Sequence, residues 1–329
     1  MIGKVYPEGE AWIDLAREYV SEFKDLAELE EHWKNIKETH KVLSVFPETV
    51  EKLMSYTFRE LINVYERYQK LPRKTKKQKD ELAVIKNELQ TKVFNYDKSG
   101  TGFKTHQGII SGFFRKKMDD LNIHTCYYCD MAYINPYIVD VDEMKSQFDL
   151  DHALAKDDCP LVALSLHNFV PSCPVCNERL KRKNPLNDSL DGVKLVAPCS
   201  EDFDANKQIH FKVNQKKVCT SGFMRHRDCY RIKVNAHGVY ASYAQLFRLE
   251  ERYEYHKGEA LRLLDLKRKY PMSNIRQIAR LMHKTADEVK EDIFGLHFSG
   301  SDEWPRQFTD GFFTERITVC HINIRLYCR

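Results

Sequence analysis

The sequence predicts an α+β protein with helical regions at both ends and a cysteine-rich centre, on three observations. Apolar residues recur at helical spacing before about residue 95 and again from Tyr243 to Tyr270. Eight of the ten cysteines fall between Cys126 and about residue 234, and the apolar runs of that stretch are short and interrupted by Pro and Asn. The chain is accordingly read as a helical region at 1–120, a central domain at 121–235, and a helical region at 236–329 that ends in an extended tail.

Trp12, Leu15, Ala16, Tyr19, Val20 and Phe23 fall at i, i+3, i+4, i+7, i+8 and i+11, which predicts an amphipathic helix over 11–23. The pattern returns through Trp33 and Ile36, and again from Val50 to Tyr68 with Leu53, Met54, Phe58, Leu61, Ile62 and Tyr65. Pro72 closes that run, and the charged stretch 73–79 is read as a solvated loop, with a phosphate-contacting patch as the sharper alternative. Asp97 to Thr105, with Gly100 and Gly102, is a second break. Toward the C-terminus Leu246, Leu249, Tyr253, Leu261 and Leu264 lie near a common side, Ser273 is read as an N-cap, and Thr285 with Glu288 as a capping box. The alternation of Ile322, Ile324 and Leu326 with polar residues suits a final strand.

With 52 basic against 48 acidic residues the net charge is only +4, so any surface for a polyanion must be local. The first thirty residues carry charges throughout and no run of 18 apolar residues occurs, so a soluble, cytoplasmic protein with no membrane partner is expected. In that compartment ten cysteines argue for metal binding or buried thiols and against a disulfide framework.

Cys126-Tyr127-Tyr128-Cys129 and Cys173-Pro174-Val175-Cys176 are two C-x2-C pairs separated by 43 residues. Four thiolates on two such knuckles suit tetrahedral Zn²⁺, and a closed four-sulfur shell leaves no position for substrate, so the expected zinc is structural. Cys159, Cys199, Cys219, Cys229, Cys320 and Cys328 lack paired spacing and are read as buried or incidental, a second metal site at Cys219, His226 and Cys229 being the disfavoured alternative.

Between and after the knuckles run Phe148-Asp149-Leu150-Asp151-His152, Ser165-Leu166-His167-Asn168-Phe169-Val170-Pro171-Ser172-Cys173, Asn177 directly after the second pair, and the basic stretch Arg179 to Lys183. This order resembles the HNH endonuclease pattern in its His-Asn-Asn form over about sixty residues. The resemblance implies a treble-clef-like ββα-metal unit, stabilised by zinc and embedded between the helical regions. It also implies that Asn168 ties a loop and holds the base in position, and that the ligand of the catalytic ion is Asp151, immediately before the His. Tyr133-Ile134-Asn135, Pro160 to Ser165, the Leu249-Glu250-Glu251-Arg252-Tyr253 core and Asp292 to Gly295 are similar to HNH proteins of bacterial anti-phage defence operons, including the Septu nuclease subunit and retron-associated relatives. That narrower likeness implies a role as a defence effector with an ATPase partner.

The residue types suit phosphodiester hydrolysis in their own right. Asp151 offers an anionic oxygen and Asn177 a neutral one, a hard set that leaves positions for water and phosphate as Mg²⁺ or Mn²⁺ prefers. His152 is then available as general base. Asp149, two residues before Asp151 on a strand, shares its face and is the substitute ligand. Lys181, Arg182 and Lys183 are expected to meet a nucleic-acid backbone, with DNA the expected substrate, while Arg225, His226, Arg227, Arg231 and Lys233 form a second basic cluster; His167 is read as a spectator. A homo-oligomer would serve double-strand cleavage, since one such centre handles one strand at a time. The competing readings are a non-catalytic zinc-knuckle module that binds nucleic acid or protein, and a regulatory subunit that docks an ATPase.

Overall fold

Threonine side chains at Thr49, Thr57 and Thr75 cap three of the N-terminal helices. The computed structural model describes residues 4–7, 9–100, 104–121, 123–140, 143–217 and 227–294. Helix α1 (Glu10–Ser21) buries Leu15, Ala16, Tyr19 and Val20, and α2 (Leu26–Thr39) buries Leu29, Trp33 and Ile36. The stretch from Val50 to Tyr68 is two helices, α3 (Val50–Met54) and α4 (Phe58–Gln69). The break follows from Thr57, whose hydroxyl accepts from the Glu60 amide while the Glu60 carboxylate accepts from the Thr57 amide, a reciprocal cap that starts a new helix. The same device at Thr75 and Gln78 starts α5 (Lys76–Glu88) inside the charged stretch read as a loop. A π-helical turn (Leu89–Val93) and α6 (Gln107–Lys116) follow.

The described strands form three two-stranded antiparallel sheets. In β1 (Pro136–Asp140) and β2 (Glu143–Ser146) the register shifts between Ile138 and Asp140. In β3 (Asp149–His152) and β4 (Phe169–Ser172) Asp149 faces Ser172, Asp151 faces Val170 and His152 faces Phe169. A π-helix (Val175–Lys181) leaves β4 across the second cysteine pair, and α7 (Leu190–Val196) comes after it.

The chain divides into two compact units. The larger contains Lys4–Tyr127 and Ile134–Asp204; the smaller contains Tyr128–Tyr133 and the described residues from Ala205 onward. The boundaries drawn in the sequence at 120 and 235 therefore do not coincide with these units. The N-terminal helices share a unit with the centre because their buried polar groups are satisfied there. Tyr6 Oη donates to the carbonyls of Leu166 (2.5 Å) and Phe169 (2.8 Å), Tyr19 Oη to that of Leu164 (2.8 Å), and Ser165 Oγ to that of Leu53 (2.8 Å).

The smaller unit is a hairpin followed by helices: α8 (Ala205–Gln208), β5 (Ile209–Gln215), β6 (Tyr230–Ala236), α9 (Val239–Leu246), α10 (Leu249–Tyr253), α11 (Lys257–Lys269), α12 (Met272–Met282) and α13 (Ala286–Phe294). The helix expected from Tyr243 to Tyr270 is broken after Leu246, where Arg248 adopts a left-handed conformation (φ 50°). Ser273 lies within α12, whose N-cap is Pro271, whereas Thr285 and Glu288 exchange the bonds of a capping box. No described helix is long and apolar enough to cross a membrane. The strand expected in the tail, and Cys219, Cys320, Cys328, Arg225 and His226, lie outside the described residues.

His167 fills a position in the larger unit's core, stacked on Trp12, edge-on to Tyr6, with Nδ1 donating to the Tyr56 carbonyl at 3.1 Å. Burial pushes its pKa down to about 3, with the Tyr56 bond opposing. Above pH 6.5 the ring is neutral folded and unfolded; below it the unfolded chain takes up a proton that the folded chain refuses, so stability falls with pH down to the folded pKa. Urea unfolding of wild type and His167→Asn between pH 6.5 and 4.5 should show a wild-type slope steeper by about 1.4 kcal/mol per pH unit. Equal slopes would show that this histidine titrates normally.

Candidate functional site

Cys126, Cys129, Cys173 and Cys176 are buried thiols whose sulfurs all lie within 4.8 Å of one another. A tetrahedron of Zn–S bonds of about 2.3 Å spaces its sulfurs by about 3.8 Å, so the cluster is of a size and chemistry that could hold a structural zinc. Tyr128 and Cys129 of the first knuckle are braced within the smaller unit. Arg252 Nη2 donates to Cys129 Sγ at 3.3 Å, Tyr253 Oη to the Cys129 carbonyl at 2.5 Å and Tyr243 Oη to the Tyr128 carbonyl at 2.8 Å, while Tyr128 stacks on Phe247. A guanidinium on a sulfur favours its thiolate form, and the two tyrosines fix the knuckle's backbone. The Leu249-Glu250-Glu251-Arg252-Tyr253 stretch thus has a physical role that its sequence alone does not disclose. Cys159 and Cys199 are likewise buried thiols, but Cys229 is disulfide-bonded, contrary to the expectation for the remaining cysteines.

His152 ends β3, and the loop that returns the chain to β4 is tied by Asn168. The Asn168 side chain is fully buried; its Oδ1 accepts from the Leu154 amide (2.7 Å) and its Nδ2 donates to the carbonyls of Leu154 (2.9 Å) and Val162 (2.9 Å). The loop so held presents the Ala163 carbonyl to His152 Nε2 at 3.0 Å. A carbonyl can only accept, so Nε2 carries the proton and Nδ1 is the basic nitrogen; Nδ1 has no hydrogen-bond partner among the described residues. Tyr96 meets the ring edge-on and Phe169 covers it at a tilt. Burial in this aromatic surround keeps the imidazole neutral, its pKa pushed down to about 4.

Asp151 and Asn177 approach from the strand and the π-helix. Asn177 Nδ2 donates to Asp149 Oδ2 at 3.3 Å, which leaves its Oδ1 as the atom available to a cation. Asp149 therefore orients Asn177, and burial raises its pKa against the effect of that bond. Lys181 departs from the sequence reading. It is buried (5% exposed), with Nζ 3.0 Å from each oxygen of Asp151 (6% exposed) and 3.1 Å from the His152 carbonyl, and so in the free protein is engaged internally and not at the surface. The cause is the π-helix, whose Arg182 amide bonds the Asn177 carbonyl five residues back at 2.7 Å; the wider turn rotates residue 181 inward over β3, where a buried carboxylate requires a counter-charge. Arg182 ends that helix at φ 54°, so Arg182 and Lys183 follow the helix rather than lie on it.

Asp151, His152 and Asn177 line one cleft of about 610 Å³ in the larger unit, together with Lys181 and the exposed Arg182 and Lys183. That volume suits a ligand of nucleotide size. The second basic cluster is not assembled in the same way: Lys233 pairs with Glu250, and Arg227 donates to the Tyr255 carbonyl. Compared with protein-family models, curated proteins and solved structures, the chain matches none. The roles of Ala163, Tyr96 and Lys181 were not foreseen from sequence, since a backbone acceptor, an aromatic wall and an inward lysine have no motif.

Two measurements check this geometry. Purified protein should carry about one zinc per chain by emission spectrometry, a content lost in Cys173→Ser, and absence of zinc from the wild type would contradict the thiol assignment. Asn168→Ala leaves the buried amide and carbonyl of Leu154 without partners, while the Val162 carbonyl keeps the Ser165 amide, and should destabilise the chain by about 2 kcal/mol or more in denaturant unfolding; a loss within about 0.5 kcal/mol would show that the loop holds itself.

Proposed function

We propose that this chain is a metal-dependent endonuclease of the HNH type, hydrolysing phosphodiester bonds in nucleic acid, with DNA as the substrate. The observation that carries the reading is the fixed tautomer of His152, a neutral imidazole with an unengaged Nδ1 on a cleft that an aspartate and an asparagine also line. In this reading β3, β4 and the π-helix correspond to the ββα-metal unit, and the four thiols hold a structural zinc beside it.

His152 Nδ1 takes the proton from the water that attacks phosphorus, and the Ala163 carbonyl keeps the ring aimed while it does so. Asp151 and Asn177 would hold Mg²⁺ or Mn²⁺, which when bound neutralises charge on the phosphate and on the leaving oxygen. The donor set fits such an ion: one buried carboxylate and one amide oxygen, oriented by Asp149. Asn168 acts through the loop and touches no substrate. Arg182 and Lys183 bind the backbone without reading sequence. The sequence resemblance to anti-phage defence nucleases extends the proposal to a defence effector with an ATPase partner.

One observation favours a second reading, a non-catalytic zinc-knuckle module: Asp151 is already paired with Lys181. Plasmid, oligonucleotide and tRNA incubated with wild type and His152→Ala, with and without Mg²⁺ or Mn²⁺, separate the two. The nuclease reading expects divalent-dependent cutting of DNA that drops by about 100-fold or more in the variant while zinc content and fold persist. Wild type that cuts none of these, or a variant that cuts as well, would favour the binding module.

A further inference from the structure

Asp151 already holds a cation, and it holds it on both oxygens. Lys181 Nζ lies 3.0 Å from Oδ1, 3.0 Å from Oδ2 and 3.1 Å from the His152 carbonyl, and both side chains are buried. A divalent ion bonded to the same carboxylate would stand within a few ångströms of that ammonium, and two cations so close in a poorly solvated site repel strongly. They therefore exclude each other. The lysine is nevertheless placed to leave: it is the last residue of the π-helix, its stem is a flexible four-carbon chain, and it lines the cleft of about 610 Å³ with Arg182 and Lys183.

We propose that Lys181 is an exchangeable internal counter-ion, which occupies both oxygens of Asp151 in the free protein, yields them to the divalent ion, and turns into the cleft to pair with a phosphate of the substrate. This rests on the metal-dependent reading of the cleft. Competition by the ammonium weakens metal binding to the free protein, and a polyanion that receives the ammonium strengthens it; metal and nucleic acid thus bind cooperatively, each more weakly alone than together.

Mn²⁺ binding followed by electron paramagnetic resonance tests the exchange without reference to cleavage. Lys181→Met should bind Mn²⁺ about tenfold or more tightly than wild type, and Asp151→Asn should abolish binding. Acetylation of the wild-type chain, read by mass spectrometry at Lys181 with Lys183 as internal standard, covers the case in which the methionine variant does not fold: Mn²⁺ should raise the labelling of Lys181 severalfold. Wild-type binding that is lost in Asp151→Asn, with no gain in Lys181→Met or no change in labelling, overturns the exchange alone. Binding that is absent, or indifferent to Asp151→Asn, overturns the metal-dependent reading with it.

Discussion

One buried carboxamide sets the geometry on which the cleft depends. Asn168 bonds the backbone of Leu154 at both its amide and its carbonyl, and reaches Val162 as well, so the chain leaving His152 and the chain approaching Phe169 are held together by a single side chain. The Ala163 carbonyl is positioned by that closure, and the Ala163 carbonyl chooses the His152 tautomer. The N-terminal segment reinforces the same loop from outside through Tyr6, which precedes α1, and through Tyr19 and the Leu53 carbonyl in its helices. The tautomer of one imidazole is in this way traced to a set of ordinary hydrogen bonds to backbone.

Electrostatics then divides the labour among the acidic groups. Asp149 accepts from the Asn177 amide and so leaves the asparagine's carbonyl oxygen for the cleft; Asp151 is buried with the Lys181 Nζ against it at 3.0 Å. The imidazole beside them is kept neutral by burial. A neutral imidazole and a buried aspartate–lysine pair are thus brought to one cleft by one hairpin and one irregular helix, the arrangement on which the proposed hydrolysis rests.

The four cysteines were legible from their paired spacing alone, whereas Asp151, His152, Asn168 and Asn177 stood out as candidates only because their order resembles the HNH pattern. Lys181 was not, because a regular helical reading turns it outward and only the i to i+5 bond at Asn177 brings it inward. Arg182 and Arg248 adopt positive φ without being Gly or Asn, so the ends they make are invisible to composition. Thr75 with Gln78 and Thr57 with Glu60 could have been found, since both are capping boxes written in the sequence, but a dense run of lysines and a continuous apolar stripe hid them. The units differ from the regions drawn on the chain because hydroxyl-to-carbonyl bonds between distant segments leave no periodic trace.

Anomalous diffraction from crystals of the wild-type protein soaked in Mn²⁺ together with a short oligonucleotide addresses the central claim most directly. The account predicts a peak bonded at about 2.0–2.3 Å to an Asp151 oxygen and to Asn177 Oδ1, within the cleft lined by His152. A cleft without that peak, with the Lys181 ammonium still seated on Asp151, would contradict it.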